Sequence, residues 1–306
     1  MADLLAPQRR LLRTTFTGQA DGLPGWVQAL ADGDDAGYFS PGSAAWAVHG
    51  STASTVAGIR ALLMQTLHPG AMAGVYDHSR FRHDPLGRLA GTIRWIFTVT
   101  YGSTTAARDA SDWVLDLHRK VSGSYVDAGG RQRPYSANDP ELLGWVHLAF
   151  TDSFLRTHQA WGGRIPGGPD AYVREWSTAG RLMQVPDPPT SEAQLRRQLD
   201  SHYDAGTLTH SPQVAEAVRF IRDPPLHPRL KIGYRMLFAG AVSTIEPKYR
   251  RLLGLKPAAL GPVPLPASAA AGAALAGMRL VLGRVGPSEQ AARRRLERVL
   301  RRSAAE

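Results

Sequence analysis

The chain has 306 residues, 43% hydrophobic and 20% charged, enough apolar content for one large or two modest packed domains and too much for general disorder. It contains no cysteine, which removes disulfide frameworks, cysteine-rich zinc modules, iron–sulfur clusters, thiolate haem ligation and cysteine nucleophiles. Of the 36 basic residues against 26 acidic ones, 32 are Arg, and the last 28 residues hold eight Arg against three Glu. The body is therefore only mildly basic, and with no basic stripe interleaved with aromatics, no nucleic-acid partner is expected.

Residues 1–45 read as an N-terminal extension, a short helix followed by an irregular stretch rich in Gly and Asp. Arg9-Arg10 opens like a twin-arginine export signal, but the residues after it are too polar for the apolar core of one, so a cytoplasmic location is expected. Thr55 to His68 is apolar nearly all round, the pattern of a buried helix, and should stop at Pro69. Asp84-Pro85 and Asp139-Pro140 each set a capping carboxylate before a proline, predicting helices over about 85–100 and 140–161. Thr105 to Val121 predicts another helix, and Gly123 to Asn138 a polar connection. Further helices are expected near 169–184, 191–201, 211–221, 228–242 and 246–253.

Pro257 to Pro266 reads as a linker, followed by a small-residue helix and a basic amphipathic one from about residue 287. These make up a C-terminal segment, 257–306, expected to be dispensable for cofactor binding. Its arginine-rich helix suits either an anionic membrane surface, as a peripheral contact, or plain docking on the body. The fold class is all-α.

Three helical stretches carry candidate chemistry. On a wheel of 105–123, Asp109, Asp112, Asp116, Arg119 and Lys120 share one arc and Ala110, Val114, Leu117 and Val121 the other, with His118 inside the apolar arc. A histidine there is either hydrogen-bonded filler or a ligand. His147 lies beside the face of Leu143, Val146, Phe150 and Phe154, and the two inward histidines suit an axial haem ligand and a pocket residue better than a base pair lacking a carboxylate. None of the eight glutamates is followed by histidine three residues on, which disfavours a di-iron bundle. The helix from Pro85 has an apolar stripe, Leu86, Leu89, Ala90, Ile93 and Phe97, opposite Arg88, Gly91, Thr92 and Trp95. That second face is either solvated or the wall of a ligand pocket, with the mid-helix Gly marking a close approach.

The runs Arg60-Ala-Leu-Leu-Met-Gln-Thr-Leu-His68-Pro-Gly, Asp84-Pro-Leu-Gly-Arg88-Leu-Ala-Gly-Thr92, Tyr101-Gly-Ser, His118-Arg-Lys-Val-Ser-Gly and Pro134-Tyr-Ser through Trp145-Val-His147 occur in one order. Together they resemble the catalytic domain shared by latex-clearing rubber oxygenases and the endoplasmic-reticulum oxygenase of mycophenolic acid biosynthesis, over about residues 40–255, in a bacterial branch apart from the rubber-cleaving enzymes. The resemblance implies a globin-like helical core over 46–256 that holds haem b through one histidine and carries out dioxygen chemistry on an apolar small molecule. It implies His118 as the iron ligand, in a setting like the His-x-x-Val-Arg of the rubber oxygenases.

Arg88 would pair with a haem propionate or polarise oxygen, Thr92 would hydrogen-bond in the distal pocket, and His147 and His68 would stand in the pocket wall. Where the rubber oxygenases carry Arg-x-x-Lys-Thr, this chain has Arg88, Gly91 and Thr92, so the distal lysine is missing and polyisoprene cleavage does not transfer. The expected activity is a haem-b-dependent oxygenase acting on an apolar, isoprenoid-like small molecule. The alternatives are a non-catalytic carrier of haem or another apolar ligand, and a helical protein whose histidines are structural.

Overall fold

The computed structural model describes residues 6–17, 22–78, 85–260 and 263–304. In chain order the helices are α1 (Ala6–Thr17), α2 (Gly25–Gln28) running into a 3-10 turn (Ala29–Ala31), α3 (Ala44–Gly50), α4 (Ser54–Gln65), α5 (Pro69–His78), α6 (Pro85–Tyr101) and α7 (Thr104–His118). A hairpin of β1 (Ser122–Val126) and β2 (Gln132–Ser136) leads into α8 (Pro140–Trp161). Then come α9 (Gly168–Leu182), α10 (Glu192–Asp204), α11 (Pro212–Arg222), α12 (Pro228–Thr244) and α13 (Pro247–Leu252). A two-residue ladder, β3 (Ala259–Leu260) and β4 (Val263–Pro264), precedes α14 (Ala267–Leu282) and α15 (Pro287–Ser303). The architecture is all-α apart from these two small antiparallel ladders.

Helix α4 is apolar all round because it sits at the centre, packed most extensively along α8 and covered by α12. Val56, Ala57, Leu63 and Met64 of α4 and Trp145, Ala149 and Leu155 of α8 are all fully buried. Inside this interface lies an ion pair, Arg60 Nη2 to Asp152 Oδ2 at 2.5 Å, with Arg60 Nη1 donating to Ser153 Oγ at 2.8 Å. Around that pair of helices, α9 packs on α3 and α8, α10 on α8, and α14 along α12.

The structure redraws three predicted features. The central helix ends at Gln65, and Pro69 opens a helix of its own, α5, for which proline is well suited at the first position. His68 caps that helix, its Nδ1 accepting the Gly70 N–H at 3.2 Å. The polar connection 123–138 is the β1–β2 hairpin, with Ser122 opposite Ser136 and Val126 opposite Gln132. Its turn is closed by Asp127, whose carboxylate accepts from the backbone of Gly129 and Arg131 and from Arg133.

Asp139 makes no side-chain cap on α8; its carboxylate accepts the Ser136 N–H at 2.7 Å and so ties the hairpin to the helix start. Asp84, the expected cap of α6, lies outside the described residues, as does the side chain of Arg88.

The segment 257–306 is not held apart from the rest. Helix α14 lies on α12, and α15 docks on α2, the 3-10 turn and α6. Arg295, fully buried, reaches three carbonyls: Nη1 to Leu30 O at 2.6 Å, Nε to Asp35 O at 3.1 Å and Nη2 to Ala36 O at 3.4 Å.

Candidate functional site

Helices α6 and α7 form a tight antiparallel hairpin, turned at Gly102-Ser103, where the Ser103 hydroxyl accepts the Ala106 N–H and caps α7. Asp35 reinforces the same helix start by accepting from the Thr104 N–H and hydroxyl. One side-chain bond sets the hairpin's register: Trp95 Nε1 donates to Ser111 Oγ at 3.1 Å. Seven residues towards the open end on each helix, two turns along, stand Arg88 on α6 and His118 on α7, so their backbones are level to within about one turn. Thr92 lies one turn nearer to Trp95 on the same stripe.

The inward stripe of α7 is Ala107, Ser111 and Leu115, all buried, and His118 continues it. The wheel drawn from sequence centred this arc too far round: Leu117, expected inside, is 42% exposed, and Trp113 is exposed beside it. His118 itself is half-buried, and its Nδ1 atom is shut off from solvent. On α6, Gly91 is exposed to solvent and a Cβ built there would meet nothing within 4 Å.

His68 and His147 belong to a second place, a cleft of about 480 Å³ between the start of α8, the Pro186–Pro189 turn and α10. Glu141, His147, Asp187, Gln198, His202 and Thr207 line it. His147 is 92% buried with its Nε2 unpartnered, and burial, aided by the nearby Arg181 charge, lowers its pKa to about 4. The ring fits because residue 180 is glycine: a Cβ there would stand 3.0 Å from His147 Cε1 and Nε2. His68 backs the cleft, its Nε2 3.3 Å from Glu141 Oε1 and its ring centroid 6.1 Å from that of His202. Burial lowers the pKa of His68 and of His202 as well, against the opposing pull of Glu141.

The five residues singled out in the sequence thus fall into two groups: Arg88, Thr92 and His118 on the α6–α7 hairpin, and His68 and His147 around the cleft. Glu141, Gly180 and His202 were not anticipated. Nothing local marks them, since His68, Glu141 and His202 lie 73 and 61 residues apart and meet only when α5, α8 and α10 pack.

The profile of the family described as "ER-bound oxygenase mpaB/B'/Rubber oxygenase, catalytic domain" matches residues 46–278. That is most of the chain, and it includes the α6–α7 hairpin, the cleft, α12 and the greater part of α14. The protein belongs to this family of oxygenase catalytic domains. No curated protein and no solved structure matches it.

Proposed function

We propose that the protein is a haem-b-dependent oxygenase of an apolar, isoprenoid-like small molecule, with the haem held at the open end of the α6–α7 hairpin. The observation that carries this reading is the Trp95–Ser111 bond between the two helices, from whose register Arg88 would stand about level with His118 and Thr92 one turn nearer the bond. The residues suit the group. His118 is a half-buried imidazole, and one turn or so along the neighbouring helix Gly91 is exposed with no side chain of its own to block a flat ring; imidazole is a standard haem donor.

His118 would supply the iron ligand, its ring held by the packing of the Ala107–Ser111–Leu115 stripe. Arg88 would give the positive charge that a propionate carboxylate requires. Thr92 would offer a hydroxyl to a polar atom on the open side. Bound there, haem would supply activation of dioxygen, while the protein supplies ligand, access and electrostatics. Rubber is named for one branch of the family, but Gly91 offers no donor where the rubber oxygenases carry lysine, so the proposed substrate is a smaller apolar molecule.

Pyridine-haemochrome analysis of the purified protein tests the reading, together with His118→Ala. Replacing the ligand removes the iron bond and leaves the pocket, so the variant should keep its helical circular dichroism, lose most of its haem, and regain part of it when imidazole is added. Full haem content with an unchanged Soret band in His118→Ala, and loss of haem in His147→Ala, would transfer the iron to the cleft. A colourless wild type that takes up no added haem would overturn the reading altogether.

A further inference from the structure

The His68, Glu141 and His202 cluster is drawn from three elements: the cap of α5, the first turn of α8 and the last turn of α10. One donor atom from each lies within 4.8 Å of the others. Two imidazoles and a carboxylate are the donor set that divalent ions of the zinc class take, with bonds of about 2.0–2.2 Å and therefore ligand-to-ligand spacings of about 3.4 Å. His68 Nε2 and Glu141 Oε1 already stand 3.3 Å apart. His202 has to close the remainder by a small shift of its ring, which the Thr207 hydroxyl orients at Nδ1, while the more than half exposed Glu141 carboxylate can turn to meet it.

The His202 tautomer favours the same assignment. The Thr207 hydroxyl donates its hydrogen to His202 O at 3.0 Å, so its oxygen accepts from His202 Nδ1 at 3.1 Å, which leaves Nε2 as the lone-pair nitrogen. In His68 the Gly70 N–H occupies Nδ1, and Nε2–H points at Glu141. An ion taking His68 Nε2 moves that hydrogen to Nδ1 at the expense of the Gly70 contact, with no net proton lost from the ring.

The surroundings of the cluster agree with that donor set. His147, 92% buried, lines the neighbouring cleft while its Nε2 is turned against Gly180, so it does not compete for the ion. The lining carries two carboxylates, Glu141 and Asp187, and no Lys or Arg, a balance that favours a cation.

The geometry points to a divalent transition-metal site at His68, Glu141 and His202, of the type that binds Zn2+. Glu141 and His202 line the cleft, so the remaining coordination position would open on it and be filled by water or an anionic group. The site is independent of the α6–α7 haem reading.

The test uses the full-length protein, stripped with a chelator and titrated with Zn2+ against a chromophoric competitor. One equivalent should bind. Glu141→Gln, at a side chain more than half exposed, and His202→Ala should each weaken binding by about tenfold or more, whereas Asp187→Asn, in the same lining but outside the triad, should leave it unchanged. Both triad variants should keep the haem content of the wild type, which separates failure of this site from failure of the haem reading. Absence of stoichiometric binding by the wild type, wild-type affinity in both triad variants, or equal weakening by Asp187→Asn would each overturn the proposal.

Discussion

Arg60 is 1% exposed and its partner Asp152 7%; Asp152 also holds Arg156, Nε to Oδ1 at 3.3 Å, but Arg60 without Asp152 would be a bare buried charge. Removing one member of such a pair typically costs about 3–5 kcal/mol, because the remaining charge has lost both water and partner. Asp152→Ala should therefore lower stability by about that amount in urea unfolding. The double replacement Arg60→Met with Asp152→Leu should recover most of the loss; no recovery would mean that Ser153 and the surrounding polar groups, rather than the pair, hold the α4–α8 interface.

Gly91 makes the opposite case. It sits inside α6 with nothing near its missing Cβ, so Gly91→Ala should stabilise the protein by about 0.5–1 kcal/mol through lost unfolded-state entropy. In the haem-loaded protein, Gly91→Lys should shift the Soret band, since the same open space lets an amine approach the iron. An unshifted band in the folded variant would turn this face of α6 away from the cofactor.

Among the elements, α15 stands furthest from its expected role. The sequence reads it as a basic amphipathic tail, but its small face, Ser288, Ala291 and Ala292, is buried and Arg295 is caged by the carbonyls of Leu30, Asp35 and Ala36. The same loop caps α7 through Asp35. Arg295→Met should cost about 2–4 kcal/mol, for it leaves those carbonyls unpaired in the interior. Truncation at 286 should lower the thermal midpoint for the same reason; an unchanged midpoint would show that the helix rests on the body without supporting it. Because the buried face is already taken, any attachment of α15 to anionic vesicles should be adsorption by its exposed Arg293, Arg294, Arg301 and Arg302, reversed by salt.

At the scale of the whole molecule, buried histidines set the response to acid. Burial depresses the pKa of His147 from 6.5 to about 4, and burial with the neighbouring His158 depresses that of His49 to about 3. Both rings take a proton more readily in the unfolded chain, so the stability they provide is complete above about pH 6.5 and is lost as the pH falls towards 4 and 3. Each contributes a slope of up to about 1.4 kcal/mol per pH unit in that window. The urea midpoint should fall between pH 7 and pH 5, and His147→Leu should flatten that fall by roughly one histidine's share. An identical slope in the variant would assign the acid sensitivity to His49 and the other buried rings.

The sequence alone determined the helical class and most helix limits, because apolar spacing and proline starts are local signals: α6 and α8 begin at the predicted prolines, and α8 ends at the predicted residue. It also turned His118 inward, since helical periodicity fixes direction within one element. It missed the β1–β2 hairpin, whose five-residue strands are mostly exposed, with Tyr135 alone buried, and carry no hydrophobic alternation, and α5, where a proline read as a stop served as a start.

Tertiary packing decided what no periodicity encodes. The Trp95–Ser111 bond fixed which residues of α6 stand level with His118. The glycine at 180 made space for the His147 ring, and the docking of α5, α8 and α10 drew His68, Glu141 and His202 together from distant parts of the chain. Contacts of that range depend on how helices cross and which faces they bury against one another, and those are properties of the assembled fold.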